Sequence, residues 1–385
     1  LLPIGLSMGT VMSVVQLTVQ RVAGTTRLGA ATSPRSRRSR RVPEREPVDA
    51  AGKPTAGPGS RVLQDLREEA LRPLVLRIRE ERLGRPFLDH LTFVHHDDTV
   101  GDLAGNRRRI LDAYAKLAAQ GAELVIFPEL VVCGYPPRDL LFKRRFVPDV
   151  AASLAEIVAA VGEVPALIGT VEPNPTGQGR SFHNSAALCH RGKVVAHARK
   201  CLLPTYDVFD EDRYFEPYQG TEMLDLQGWR LGISICEDVW SPTGPLAEQA
   251  AGGAELNINI NGSPYYAGKA AARERMLATR AADASCALVY VNQVGGNDDL
   301  IFDGSSAAWN ASGEMIARSQ SFDEDLIVAD LGGGPQSIAP SHNEPEAEIW
   351  HALVLGVRDY ARKSGFKKAL LGLSGGVDSA LVAAI

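Results

Sequence analysis

The chain has 385 residues, 45% hydrophobic and 23% charged, enough apolar material for one large or two ordinary domains. Its 41 Lys and Arg against 46 Asp and Glu leave a net charge of −5, which excludes a global attraction to nucleic acid or an anionic membrane. Five cysteines, an odd number spread along a long chain, argue against a disulfide framework and for reduced thiols in a cytoplasmic compartment; no run of about 18 apolar residues offers a bilayer span.

Residues 1–90 read as an extension. Within them, residues 24–60 hold Gly, Ala, Ser, Thr and Pro around the basic run Arg35 to Arg41, a composition that cannot bury enough apolar surface to offset the entropy of ordering. The same composition suits a transit peptide or a nucleic-acid-binding arm, so three readings stay open. Residues 61–83 have the spacing of a charged amphipathic helix interrupted at Pro73. From about residue 91 the texture changes. Short β-branched runs (Leu124 to Phe127, Ala166 to Gly169, Lys193 to Ala196, Leu231 to Ile235, Leu256 to Ile260, Ala287 to Val291) predict strands; Asn106 to Gln120, Val150 to Val161 and Lys269 to Ala284 predict helices. That alternation predicts a layered α/β domain over 91–340, closed by the Gly332-Gly333-Gly334-Pro335 break. A helix over Glu346 to Ser364, a strand over Ala369 to Leu373 and a Gly-rich turn opening another helix follow, over 346–385.

Three strand ends carry candidate chemistry. Glu129 follows an apolar strand and a proline, so a buried carboxylate there is a candidate general base. Lys200 follows the strand-like Lys193 to Ala196, where an ammonium can face a developing oxyanion. Cys236 ends Ile233-Ser234-Ile235 at a strand-to-turn junction that exposes a thiol, its ionisation tuned by nearby Lys and Glu. Each also has a bland reading: a solvated turn, a surface lysine, a small buried hydrophobe. His95-His96-Asp97-Asp98 reads as surface rather than a metal site, Cys189-His190 as strand neighbours facing opposite ways, and Asp298, Asp299 and Asp303 as a solvated turn.

Spacing does not choose between those readings; resemblance does. Phe127-Pro128-Glu129-Leu130 with Gly134-Tyr135-Pro136, Lys200 with Leu202 to Glu211, and Ile235-Cys236-Glu237-Asp238-Val239-Trp240 resemble the Glu-Lys-Cys signature of nitrilase-superfamily amidases. With Asn261-Gly262-Ser263-Pro264-Tyr265 and the Ser374 to Ser379 turn, the chain from Thr99 to Ile385 resembles the glutamine-dependent NAD synthetase family. The resemblance implies a nitrilase-like α/β/β/α sandwich followed by a truncated α/β nucleotide-binding domain. It implies Cys236 as nucleophile, Glu129 as general base and Lys200 as oxyanion stabiliser, helped by the backbone N–H after Cys236. Tyr206, Ser263 and Lys269 would grip the amino-acid end of glutamine, with Tyr135 and Glu237 lining the pocket. A second structural Glu would be Glu211 or Glu216.

The turn Gly372-Leu373-Ser374-Gly375-Gly376-Val377-Asp378-Ser379 lacks the lysine of a Walker A motif and is similar to the pyrophosphate-binding loop of ATP pyrophosphatases. By the same resemblance the parent reaction uses glutamine, ATP with Mg, and nicotinic acid adenine dinucleotide, amidated to NAD by ammonia from the amidase. The sequence departs from the family in a short apolar run, Leu91 to Val94, where a longer first strand is expected, and in ending at Ile385 just past the turn. The expectation is therefore a homo-oligomeric glutaminase half without nucleic-acid or membrane partners. A stand-alone amidase and a non-catalytic remnant are the alternatives.

Overall fold

The computed structural model describes residues 101–385, apart from 227–228, 328, 330, 332–337 and 342–343. The expected extension over 1–90, the helix over 61–83, the run Leu91 to Val94, the His95 to Asp98 group and the Gly332 to Pro335 break lie outside the described residues.

Two sheets face each other. The first runs β1 (Val125–Ile126), β2 (Ala166–Pro173), β3 (Phe182–His190) and β4 (Lys193–Arg199), parallel between β1 and β2 and antiparallel thereafter. The second has β6 (Trp229–Ile235), β7 (Leu256–Asn261) and β8 (Ala287–Asn292) side by side and parallel. β5 (Met223–Leu226) flanks β6, and β11 (Ala307–Trp309) with β12 (Met315–Arg318) flanks β8, all antiparallel. Parallel neighbours need crossovers, and two helices, α3 (Pro245–Ala251) and α4 (Lys269–Ala284), supply them.

Residue alternation explains the layering. In β7, Leu256, Ile258 and Ile260 face the gap between the sheets, where they meet Ile233 and Ile235 of β6 and Leu167 and Leu188 of the first sheet. The intervening Asn257, Asn259 and Asn261 are also buried, because α3 and α4 cover that face. Two of these amides are joined in a chain: Asn259 donates to Ser234 Oγ at 2.8 Å and Asn261 donates to Asn259 Oδ1 at 2.7 Å. On the outer face of the first sheet lie α1 (Leu103–Ala119) and α2 (Phe146–Ala160), through Ile110, Leu117, Val150 and Ile157. The result is the expected α/β/β/α sandwich. Asp102 caps α1 by accepting from the Gly105 N–H at 3.0 Å.

A hairpin, β9 (Val294–Asn297) with β10 (Leu300–Asp303), carries α5 (Pro345–Lys363). Asp359 accepts from Gly296 N–H at 2.9 Å while Lys363 donates to Gly296 C=O at 2.6 Å, so one glycine is gripped at both backbone groups. The last helix, α6 (Val377–Ala384), follows the Gly-rich turn as expected. The expected strand over Ala369 to Leu373 does not form: the segment is open coil and Leu370 is fully exposed. Its apolar pattern favours a strand, but among the described residues no strand lies beside it, and an unpaired strand leaves its own N–H and C=O groups unsatisfied.

Candidate active site

β1 is two residues long, yet it delivers Glu129 to the mouth of the sandwich. Pro128 ends the strand, and Gly169 on β2 lets the backbone turn there, since any side chain at 169 would run into Pro128 C=O. Glu129 is completely buried and accepts three hydrogen bonds. They come from Asn184 Nδ2 at 2.6 Å, Lys200 Nζ at 2.8 Å and Gly262 N–H at 2.7 Å. The first sheet and the loop after β7 thus meet on one carboxylate.

Lys200, the first residue past β4, lies between two carboxylates, donating to Glu129 and to Glu211 at 2.8 Å each. Burial alone would lower its pKa; the two anions more than offset that and hold the ammonium well above its ordinary value. Glu211 is raised by burial, opposed by Lys200, and it also accepts from the Tyr135 hydroxyl at 2.7 Å. Of the two candidate second glutamates, Glu211 is therefore the one beside Lys200. Glu216 lies elsewhere, accepting from Arg180 N–H at 2.8 Å.

Cys236 follows β6 at φ +48°, left-handed backbone for a residue with a side chain, and begins a tight turn over Cys236–Val239. The thiol is 2% exposed, so the junction buries it rather than exposing it. Burial, and then the Glu129 charge, push its pKa well above 9.0, with Lys200 opposing. The tuning expected from nearby Lys and Glu thus has opposed parts, and burial with Glu129 outweighs Lys200.

The expected substrate grip has one tight part and one open part. Lys269, first residue of α4, donates to Ser263 Oγ at 2.8 Å and to Pro264 C=O at 2.7 Å. Its ammonium sits 5.2 Å from the Tyr266 ring and 5.9 Å from that of Trp240, and burial followed by the Arg273 charge lowers its pKa. Tyr206 is 56% exposed and donates to Glu237 at 2.8 Å. Tyr135 is buried, its hydroxyl committed to Glu211.

Several residues at the site were given no role by the sequence reading. Asn184 on β3 is one; its partner is 55 positions away. Asp238 is another, completely buried and bonded to three backbone N–H groups. Asp303 was expected in a solvated turn. It is instead 1% exposed at the end of β10 and pairs with Arg273 of α4 at 2.6 and 3.0 Å. Asn292 links that pair to the grip, donating to Asp303 at 3.3 Å and accepting from Ser263 N–H at 2.9 Å. No local pattern marks Asp303, because what buries it is a helix earlier in the chain. Cys189 behaves as expected, a buried thiol pushed up to about 12 by desolvation.

Residues 93–333 match the carbon-nitrogen hydrolase family model. The chain belongs to the carbon-nitrogen hydrolase family. Residues 349–385 match the NAD synthase family model, a stretch that takes in most of α5 and the Gly-rich turn. It is 43% identical over 306 residues to a glutamine-dependent NAD(+) synthetase of Synechocystis, covering 74% of this chain and 55% of that one. The Acinetobacter baumannii glutamine-dependent NAD+ synthetase, solved with adenosine diphosphate, superposes with a TM-score of 0.70 at 36% identity, over 76% of this chain and 55% of that one. A nitrilase-superfamily amidase from Nesterenkonia superposes with a TM-score of 0.52 at 25% identity, over 59% of this chain and 84% of the amidase. The chain spans about half the length of the curated relatives it matches. No helix among the described residues is long and apolar enough to cross a membrane.

Proposed function

We propose that the sandwich hydrolyses the side-chain amide of glutamine through Cys236, Glu129 and Lys200, and that in the whole protein the ammonia serves ATP-dependent amidation of nicotinic acid adenine dinucleotide to NAD. The observation that carries the glutaminase half is the buried chain Glu129–Lys200–Glu211 beside the buried thiol of Cys236, whose pKa burial and Glu129 push up. A thiolate formed there by loss of the proton to solvent would add an anion to a buried site that already holds two carboxylates, with the ammoniums of Lys200 and Lys269 opposing. Transfer of the proton to Glu129 leaves the local charge unchanged, which favours that carboxylate as the base.

In that reading, Cys236 Sγ bonds to the amide carbon as its proton passes to Glu129. Lys200 and the Glu237 N–H stabilise the oxyanion. Glu129 returns the proton to the departing nitrogen, and ammonia leaves behind a thioester. Glu129 then takes a proton from water, which adds to the thioester; collapse frees glutamate and restores the thiol. Lys269 supports the α-carboxylate and Glu237 the α-ammonium, charges opposite to their own. Tyr206, Ser263 and Tyr135 complete the pocket. Family similarity supports ATP binding at Gly372 to Ser379, where Gly375 has φ +83° and the N–H groups around Gly376 open α6. Among the described residues, no three His, Cys, Asp or Glu side chains gather to hold a metal ion.

Ammonia release from glutamine, with Cys236→Ala as control, is the test. Release that disappears in the variant is expected; release that survives it overturns the nucleophile assignment. The likeness to a nitrilase-superfamily amidase over most of that enzyme's length favours one other reading, a stand-alone amidase for a different amide. A panel of aliphatic amides separates the two, glutamine being the preferred substrate only under the first.

A further inference from the structure

We propose that Asp238 is a positioning residue that sets the separation of the nucleophile from the lysine by tying the end of β6 to the segment after β4. The inference rests on the glutaminase reading of Cys236 and Lys200. One oxygen of Asp238 accepts from Ile235 N–H at 2.9 Å. The other accepts from Cys201 N–H at 3.1 Å and Leu202 N–H at 2.8 Å. Ile235 immediately precedes Cys236, and Cys201 immediately follows Lys200.

β4 belongs to the first sheet and β6 to the second, so one carboxylate bridges the two halves of the sandwich where both catalytic side chains emerge. Its hydrogen bonds are all to backbone, and it is 0% exposed. It therefore acts on the reaction through the placement of others. Three N–H donors converge on it, and a buried donor without an acceptor is costly, which gives the bridge its rigidity. The Cys236 backbone needs such support, because φ +48° is a conformation that a side-chain-bearing residue keeps only when its surroundings impose it. Only a carboxylate supplies acceptors on both sides; an asparagine turns one terminal atom into a donor facing an N–H.

The test compares wild type with Asp238→Asn, both checked for folding by circular dichroism. Ammonia release is expected to fall about 100-fold in kcat, the effect of misplacing reacting groups by about 1 Å. Glutamine affinity, measured by calorimetry in Cys236→Ala and Cys236→Ala/Asp238→Asn, is expected to agree within about threefold. A folded Asp238→Asn with kcat within about threefold of wild type overturns the proposal. So does a loss of affinity that matches the loss of kcat, the mark of general damage. If Asp238→Asn does not fold, Asp238→Glu is measured in the same way: it keeps the charge and displaces it by one methylene, and an unchanged kcat again overturns the proposal. Failure of the underlying reading looks different: wild-type release that is absent, or that survives Cys236→Ala, overturns both.

Discussion

Around Cys236 burial and charge act together. Desolvation first, then the Glu129 charge and that of Glu211, push the thiol pKa up, with Lys200 and Lys269 opposing. Glu129→Gln is therefore expected to move two observables in opposite directions. Glutamine hydrolysis should fall at least 100-fold with loss of the base. Alkylation of Cys236 by iodoacetamide at neutral pH should accelerate, because an anion that raised the thiol pKa is gone while Lys200 remains. In the wild type the alkylation rate should climb with pH through 9 and beyond; a plateau below pH 8 would show a thiolate already formed. Glu211→Gln removes one of the two anions that hold Lys200. The expected result is a ten- to 100-fold lower kcat for ammonia release, with KM changed less than about threefold. The residue types at 129, 200 and 236 were legible from their motifs, whereas the choice of Glu211 over Glu216 needed the fold, since both follow Lys200 and only one turns back to it.

At the scale of elements, α4 carries two cations on one face, Lys269 and Arg273 at i and i+4. The first meets the proposed substrate; the second is clamped by Asp303, and Asn292 joins the two. Arg273→Leu leaves Asp303 buried without its counter-ion, at an expected cost of about 3–5 kcal/mol in urea unfolding. Arg273→Leu/Asp303→Asn should recover a large part of that loss, since it removes the stranded charge. A double variant no more stable than the single one would show that packing, not charge, is what Arg273 supplies. Lys269 to Ala284 was legible as a helix from composition and spacing. Asp303 was not legible as a core residue, because a Gly-rich hairpin with neighbouring aspartates has the composition of a solvated turn. The segment Ala369 to Leu373 shows the converse, an apolar run with strand composition and no strand beside it among the described residues.

Among the described residues, apolar cores lie under α1 and α2 and where the two sheets meet. Ile258 is 0% exposed there, in contact with residues of both sheets, and Ile258→Ala is expected to cost about 2–5 kcal/mol. Leu370, as apolar by sequence, is fully exposed, and Leu370→Asp should change stability by less than about 0.5 kcal/mol. Equal effects at the two positions, by urea titration, would contradict the placement of the core.

The sequence by itself determined a layered α/β domain, since short β-branched runs alternate with helices, while the α/β/β/α order came with the family resemblance; it also placed Glu129, Lys200 and Cys236 at strand ends, where open sheets present side chains. Tertiary structure alone decided which groups surround them. Asn184, Gly262, Glu211 and Asp238 reach the site through turns and crossovers, and the protonation of Cys236 follows from the sum of their charges and the water they exclude. Short-range pattern encodes the direction a residue faces; the field at a buried atom depends on every chain segment that folds back to it.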